Sequence, residues 1–133
     1  MGQLDLDLRF LPGRRAPSAA RRGLEALRGS LQDSTLDDAE LLVSELVTNS
    51  VRHARLGASD TITVQVRQED RRLRVEVADP GAGLDAAPRP RGDGGWGLLL
   101  LDRVADRWGV RHDPDTVVWF ELAAVSPLSD AGT

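Results

Sequence analysis

The chain contains no cysteine, no lysine and no tyrosine, and Asn49 is its single asparagine. Without cysteine there is no disulfide, no thiol nucleophile and no cysteine-ligated zinc, as expected for a reducing compartment such as the cytoplasm. Without lysine there is no Schiff base, no Walker A lysine and no protein-kinase strand lysine. Any grip on phosphate must then come from arginine, from backbone amides or from a metal. The two histidines, His53 and His112, lie too far apart for an HExxH zinc site, whereas oxygen-ligated magnesium remains open. No run approaches the roughly 20 apolar residues of a membrane span. Met1 to Arg9 alternates apolar and charged residues, unlike a signal-peptide core, so the sequence predicts a soluble, unexported protein. A net charge of -4 argues against nucleic acid as a partner, because that role usually needs a basic face to displace counterions.

What is present fits one domain. At 133 residues and 41% hydrophobic the chain can bury a core without staples, and the sequence predicts a single unit over 1–125 with a frayed tail over 126–133. All 17 basic residues are arginine, which together with the missing tyrosine suggests a GC-rich coding bias that makes a lone asparagine informative. Leu4, Leu6, Leu8 and Phe10 alternate as a strand with one buried face. Ala20, Leu24, Leu27 and Leu31 recur at helical spacing from Pro17 to about Leu31. Thr35 and Asp38 resemble a capping box opening a second helix that runs to about Arg55, before Gly57. Thr61 to Arg67 and Leu73 to Ala78 read as a hairpin turning at Glu69, Asp70 and Arg71. After Asp79 a glycine- and proline-rich stretch to Trp96 reads as a long loop of the kind that often serves as a lid. Helical spacing resumes from Gly97 to Trp108, and Val117 to Leu122 gives a last strand. That order predicts a two-layer α/β sandwich with a mixed, mostly antiparallel sheet covered on one face by helices.

Three short constellations carry the chemistry. Glu45 and Asn49, four residues apart, lie on one stripe of the second helix with Arg52 beside it, so their side chains can converge on one ligand. Val43, Leu46, Val47, Ser50 and Ala54 occupy the neighbouring, sheet-facing side. The second constellation is Asp79-Pro80-Gly81-Ala82-Gly83-Leu84 at a strand end. A carboxylate there can accept from an exocyclic amine while the glycines allow close backbone approach. The third is Gly94-Gly95-Trp96-Gly97-Leu98 before a helix, whose N-terminal amides can meet phosphate oxygens. Taken singly, a solvated helix face, a glycine turn and a helix cap would satisfy these patterns. Their order along one chain is harder to obtain by chance.

The segment Glu45 to Ala54 resembles the N-box, Asp79 to Leu84 the G1 box and Gly94 to Leu98 the G2 box of the GHKL (Bergerat) ATPases shared by DNA gyrase and histidine kinases. The Ser-Glu-Leu-Val-Thr-Asn wording, the compact length and the run from Gly97 through Gly109 look most like the RsbW/SpoIIAB-type anti-sigma factor serine kinases. The resemblance implies the Bergerat fold and binding of ATP with Mg2+. It implies Asn49 as magnesium ligand, Glu45 as general base and Asp79 as reader of adenine. Gly81 and Gly83 would shape the base pocket, Gly95 and Gly97 would hinge or line the lid, Leu98 would join the nucleotide site, Arg52 would meet phosphate, and Thr116 would support Asp79. His53 is read as structural and Trp96 as filling a gap. The departure from the family pattern is a lid whose phosphate contacts are unassigned, with Arg89, Arg91 and Asp93 but no further glycine series. The implied function is a serine/threonine protein kinase acting on a STAS-type anti-sigma antagonist, with a sigma factor as a second partner and room for a homodimer, away from nucleic acid and membrane. A non-catalytic ATP-gated binding module is the alternative. A detached histidine-kinase domain is weaker, because the chain shows no phosphoacceptor segment.

Overall fold

A computed structural model of the chain describes residues 4–53, 56–81, 95–112 and 114–124. Five strands, β1 (Asp5–Phe10), β2 (Ile62–Glu69), β3 (Arg72–Asp79), β4 (Arg107–Arg111) and β5 (Thr116–Ala123), form one sheet in the order β1-β2-β3-β5-β4. The two-layer sandwich is as expected, but among the described residues all four strand pairings are antiparallel, so the sheet they form is not mixed. Among the described residues three α-helices, α1 (Ala16–Leu24), α2 (Asp33–His53) and α3 (Gly95–Val104), join the sheet.

Alternation along the strands decides which face the helices cover. Ile62, Val64 and Val66 of β2, Leu73, Val75 and Val77 of β3, and Phe120 and Leu122 of β5 are buried. They join one core with Ala20 and Leu24 of α1, Leu36, Leu42, Val43, Leu46 and Val47 of α2, and Leu101 of α3. Burying each large aliphatic side chain contributes about 1.5–3 kcal/mol before ordering entropy is counted, so this layer is the main source of stability. The opposite face is charged: Arg74 and Arg107 both stand opposite Glu121 on their neighbouring strands.

Several boundaries differ from the sequence reading, each for a local reason. The first helix stops at Leu24, seven residues early, passing through a short 3-10 turn at Glu25–Leu27 to Gly29 at φ 94. Arg28 fastens this turn to α2, pairing with Glu25, with Asp33 at 3.3 Å, with Asp37 at 3.2 Å and more distantly with Glu40 at 3.8 Å. The helix α2 starts at Asp33, so Thr35 is not its cap. Thr35 is buried in the first turn, and its hydroxyl donates to the Ala123 carbonyl at the end of β5. The hairpin turn is the two residues Asp70 and Arg71, with Asp70 at φ 56, a conformation that aspartate tolerates better than most side chains. The third helix ends at Val104, and Arg107–Arg111 forms an edge strand, of which the sequence reading had placed Arg107 and Trp108 in the helix and left the rest unassigned. The Trp108 indole donates to Asp102 at 2.7 Å, tying that strand to the end of α3. Among the described residues no helix is long and apolar enough to cross a membrane.

Candidate functional site

The helix α2 is amphipathic along its length, and its apolar stripe fixes how the site residues are presented. Leu42, Val43, Leu46 and Val47 are buried against the sheet, which leaves Glu45 and Asn49 half-buried at the margin of the core. They lie one turn apart on the same stripe. Arg52, one turn further along the helix, is exposed. Thr48, between them, turns its hydroxyl back to the Ser44 carbonyl at 2.7 Å.

The strand β3 ends at Asp79, which is only 5% exposed. A buried carboxylate is costly unless donors surround it. Here they come from two directions. The Ser50 hydroxyl on α2 donates to Oδ2 at 2.6 Å, and the Gly81 amide, just past the strand, donates to Oδ1 at 2.8 Å. Each oxygen keeps further lone-pair capacity for a ligand. Thr116 faces Asp79 across the β3–β5 ladder, on the adjacent strand as the sequence reading had it.

The structure therefore brings together Asp79, Gly81 and the Asn49–Ser50 segment, with Thr116 alongside and Glu45 one turn up the helix. The glycine-rich segment before the third helix ends where α3 begins, so Gly95, Gly97 and Leu98 stand in its first turn, and α3 packs beside α2. Gly83 and the lid residues Arg89, Arg91 and Asp93 lie outside the described residues, as does Ala54. The side chains of His53 and Trp96 are likewise outside the description.

Ser50 is the site residue whose role the sequence reading missed. The signal was a hydroxyl on the sheet-facing stripe of α2 among valines and leucines, where a buried polar group must find a partner. What the sequence could not supply was the partner's identity, because Asp79 lies 29 residues away on another element.

The arrangement offers hydrogen-bond acceptors at a buried strand end, carboxylate and amide oxygens on a neighbouring helix, and a helix N-terminus. That set suits a nucleotide: a base at the first, metal-bound phosphates at the second and third. The sequence profile of the histidine kinase-like ATPase domain matches residues 13–122. The serine-protein kinase RsbW of Listeria innocua is 32% identical over 103 residues, covering 66% of this chain and 66% of its own. The anti-sigma F factor of Clostridium acetobutylicum is 35% identical over 83 residues, covering 60% of this chain and 57% of its own. The chain thus spans 66% and 57% of the length of these two relatives, less than two thirds of either. Among solved structures, a Mycobacterium tuberculosis protein with RsbU and RsbW domains superposes with a TM-score of 0.71 at 21% identity, over 93% of this chain and 33% of that one, which supports the fold. With its profile match across most of the sequence, the chain belongs to the histidine kinase-like ATPase domain family, whose members are built to bind ATP.

Proposed function

We propose that the chain is an ATP- and magnesium-dependent serine/threonine protein kinase of the anti-sigma type, which phosphorylates an anti-sigma antagonist and also has a sigma factor as partner. The observation that carries this reading is the buried Asp79 carboxylate, oriented by Ser50 and Gly81 beside the helix that presents Glu45 and Asn49. The relative named serine-protein kinase supports a protein hydroxyl as the acceptor, and the one named anti-sigma F factor supports a sigma factor as partner.

Each residue then has a task. Asp79 accepts from the exocyclic amine of adenine, Gly81 and Gly83 let the backbone approach base and sugar, and Thr116 supports Asp79 from β5. The first turn of α3, with Gly95, Gly97 and Leu98, turns its amides to phosphate oxygens, and Arg52 reaches the same charge from α2. Magnesium that arrives with a triphosphate needs only one or two protein oxygens. The amide of Asn49 offers one. Among the described residues no group of three or more His, Cys, Asp or Glu could hold a metal. When bound, the metal neutralises charge that builds on the phosphate oxygens. Glu45 takes the proton of the attacking hydroxyl as its oxygen bonds to the γ-phosphorus and the bond to the ADP oxygen breaks. Transfer of labelled phosphate from ATP to a purified antagonist tests the proposal. Tight ATP binding with no transfer to any antagonist would make the ATP-gated binding module the better account.

A further inference from the structure

We propose that Ser50 is a positioning residue for base recognition, fixing the Asp79 carboxylate in the orientation that reads a 6-aminopurine. This rests on the reading of Asp79 as the base acceptor.

A terminal carboxylate turns easily, because its last torsion is broad and two-fold. At Asp79 that freedom is removed by donors on both oxygens from different parts of the fold: the hydroxyl of α2 on Oδ2 and the backbone amide beyond β3 on Oδ1. Ser50 and Asp79 are 8% and 5% exposed, so water cannot readily substitute for the serine. The hydroxyl has a single proton, and it is committed to Asp79. What Ser50 and Asp79 leave for a ligand is therefore lone pairs only. An amine with two protons matches such a wall, and a 6-oxo group would set oxygen against oxygen. The serine could greet that oxygen only by releasing the carboxylate. Because Ser50 directly follows Asn49, the same bond also ties the helix segment assigned to the phosphates to the strand end assigned to the base.

The test is the ratio of two dissociation constants on the full chain: ATP, and the triphosphate of purine riboside, which carries hydrogen in place of the 6-amino group. Ser50→Ala should weaken ATP about 10-fold, the scale of one hydrogen bond to a charged group, while the analogue changes less than about 2-fold. A purely structural role would weaken both ligands alike and leave the ratio at its wild-type value, which would overturn the proposal. If Ser50→Ala does not fold, Ser50→Cys keeps the size with a weaker donor. A ratio lowered part of the way then supports the proposal, and an unchanged ratio refutes it. Asp79→Asn separates the two layers of inference. A ratio lost in Asp79→Asn but kept in the Ser50 variants removes Ser50 alone, whereas a ratio kept in Asp79→Asn removes the base-reading role on which the proposal stands.

Discussion

Replacing Glu45 with alanine separates binding from chemistry, and the structure sets the size of each effect. Glu45 is half-buried, flanked on α2 by Ser44 and Leu46, both buried, with Leu42 and Val43 also in the core. These neighbours hold the helix whether or not the carboxylate is present. Alanine is the best helix former, so the cost to the fold should stay within about 0.5 kcal/mol. Adenine contacts are assigned to Asp79, across on β3, so ATP affinity should remain within a few-fold of wild type. Transfer is another matter. General-base assistance is worth about 10²- to 10⁴-fold, and at about 1.4 kcal/mol per decade its loss raises the barrier by about 3 to 5 kcal/mol. The predicted effects on binding and on turnover thus differ by at least tenfold. The assay pairs an ATP titration with a phosphate-transfer time course to a purified antagonist. If Glu45→Ala transfers phosphate within a few-fold of wild type, Glu45 is not the base. If the variant keeps its circular dichroism but loses ATP, the carboxylate belongs to the binding site and the role assigned here is wrong.

Three further outcomes are expected. ATP at 100 times its dissociation constant should stabilise the fold by about 2.7 kcal/mol, and a thermal-shift titration should show a smaller gain with a chelator than with magnesium; no shift in either condition would contradict the assignments of Asn49 and Asp79. Burial first, and the neighbouring Glu25 carboxyl second, push the Glu40 carboxyl up to about 7 against the opposing pull of Arg28, with Asp37 adding to the rise. The folded protein then holds a proton that the unfolded chain releases near 4.5, so Glu40's stabilising share is complete below that pH and is lost as pH rises through about 7. Glu25 is held down to about 2 by Arg28, so its contribution changes only below that window. Denaturant melts at pH 5 and pH 8 should show wild type losing stability relative to Glu40→Gln, and parallel losses would dismiss the coupling. A methyl at Gly109 would lie 2.7 Å from Nε1 of Trp119 on the adjoining strand, so Gly109→Ala should cost about 1–3 kcal/mol, and an unchanged melting temperature would mean the indole moves aside freely.

The sequence reading recovered the layered α/β class, the hairpin and the stripe bearing Glu45 and Asn49, because these depend on local periodicity. A helix that buries one stripe shows it every three or four residues, and a half-buried strand shows it every second residue. It failed where tertiary contacts outrank local pattern. Arg107 to Arg111 joins the sheet because β5 offers it a ladder, and Thr35 sits inside a helix because the Ala123 carbonyl is there to accept its hydroxyl. Arg28 similarly gathers four carboxylates from a turn and a helix that no periodicity relates.

By itself the sequence determined the family, through three short motifs in order, and it excluded lysine- and cysteine-based chemistry by composition. Only the tertiary structure decided how Asp79 is held. A buried carboxylate needs donors, and of the two among the described residues that reach it one is a backbone amide two residues away and the other a serine of α2, 29 residues distant. The nearer donor belongs to the local turn, but the choice of the farther one was made when α2 packed its valine and leucine stripe onto β3. That packing turned the Ser50 hydroxyl toward the strand end, where burial obliged it to find an acceptor.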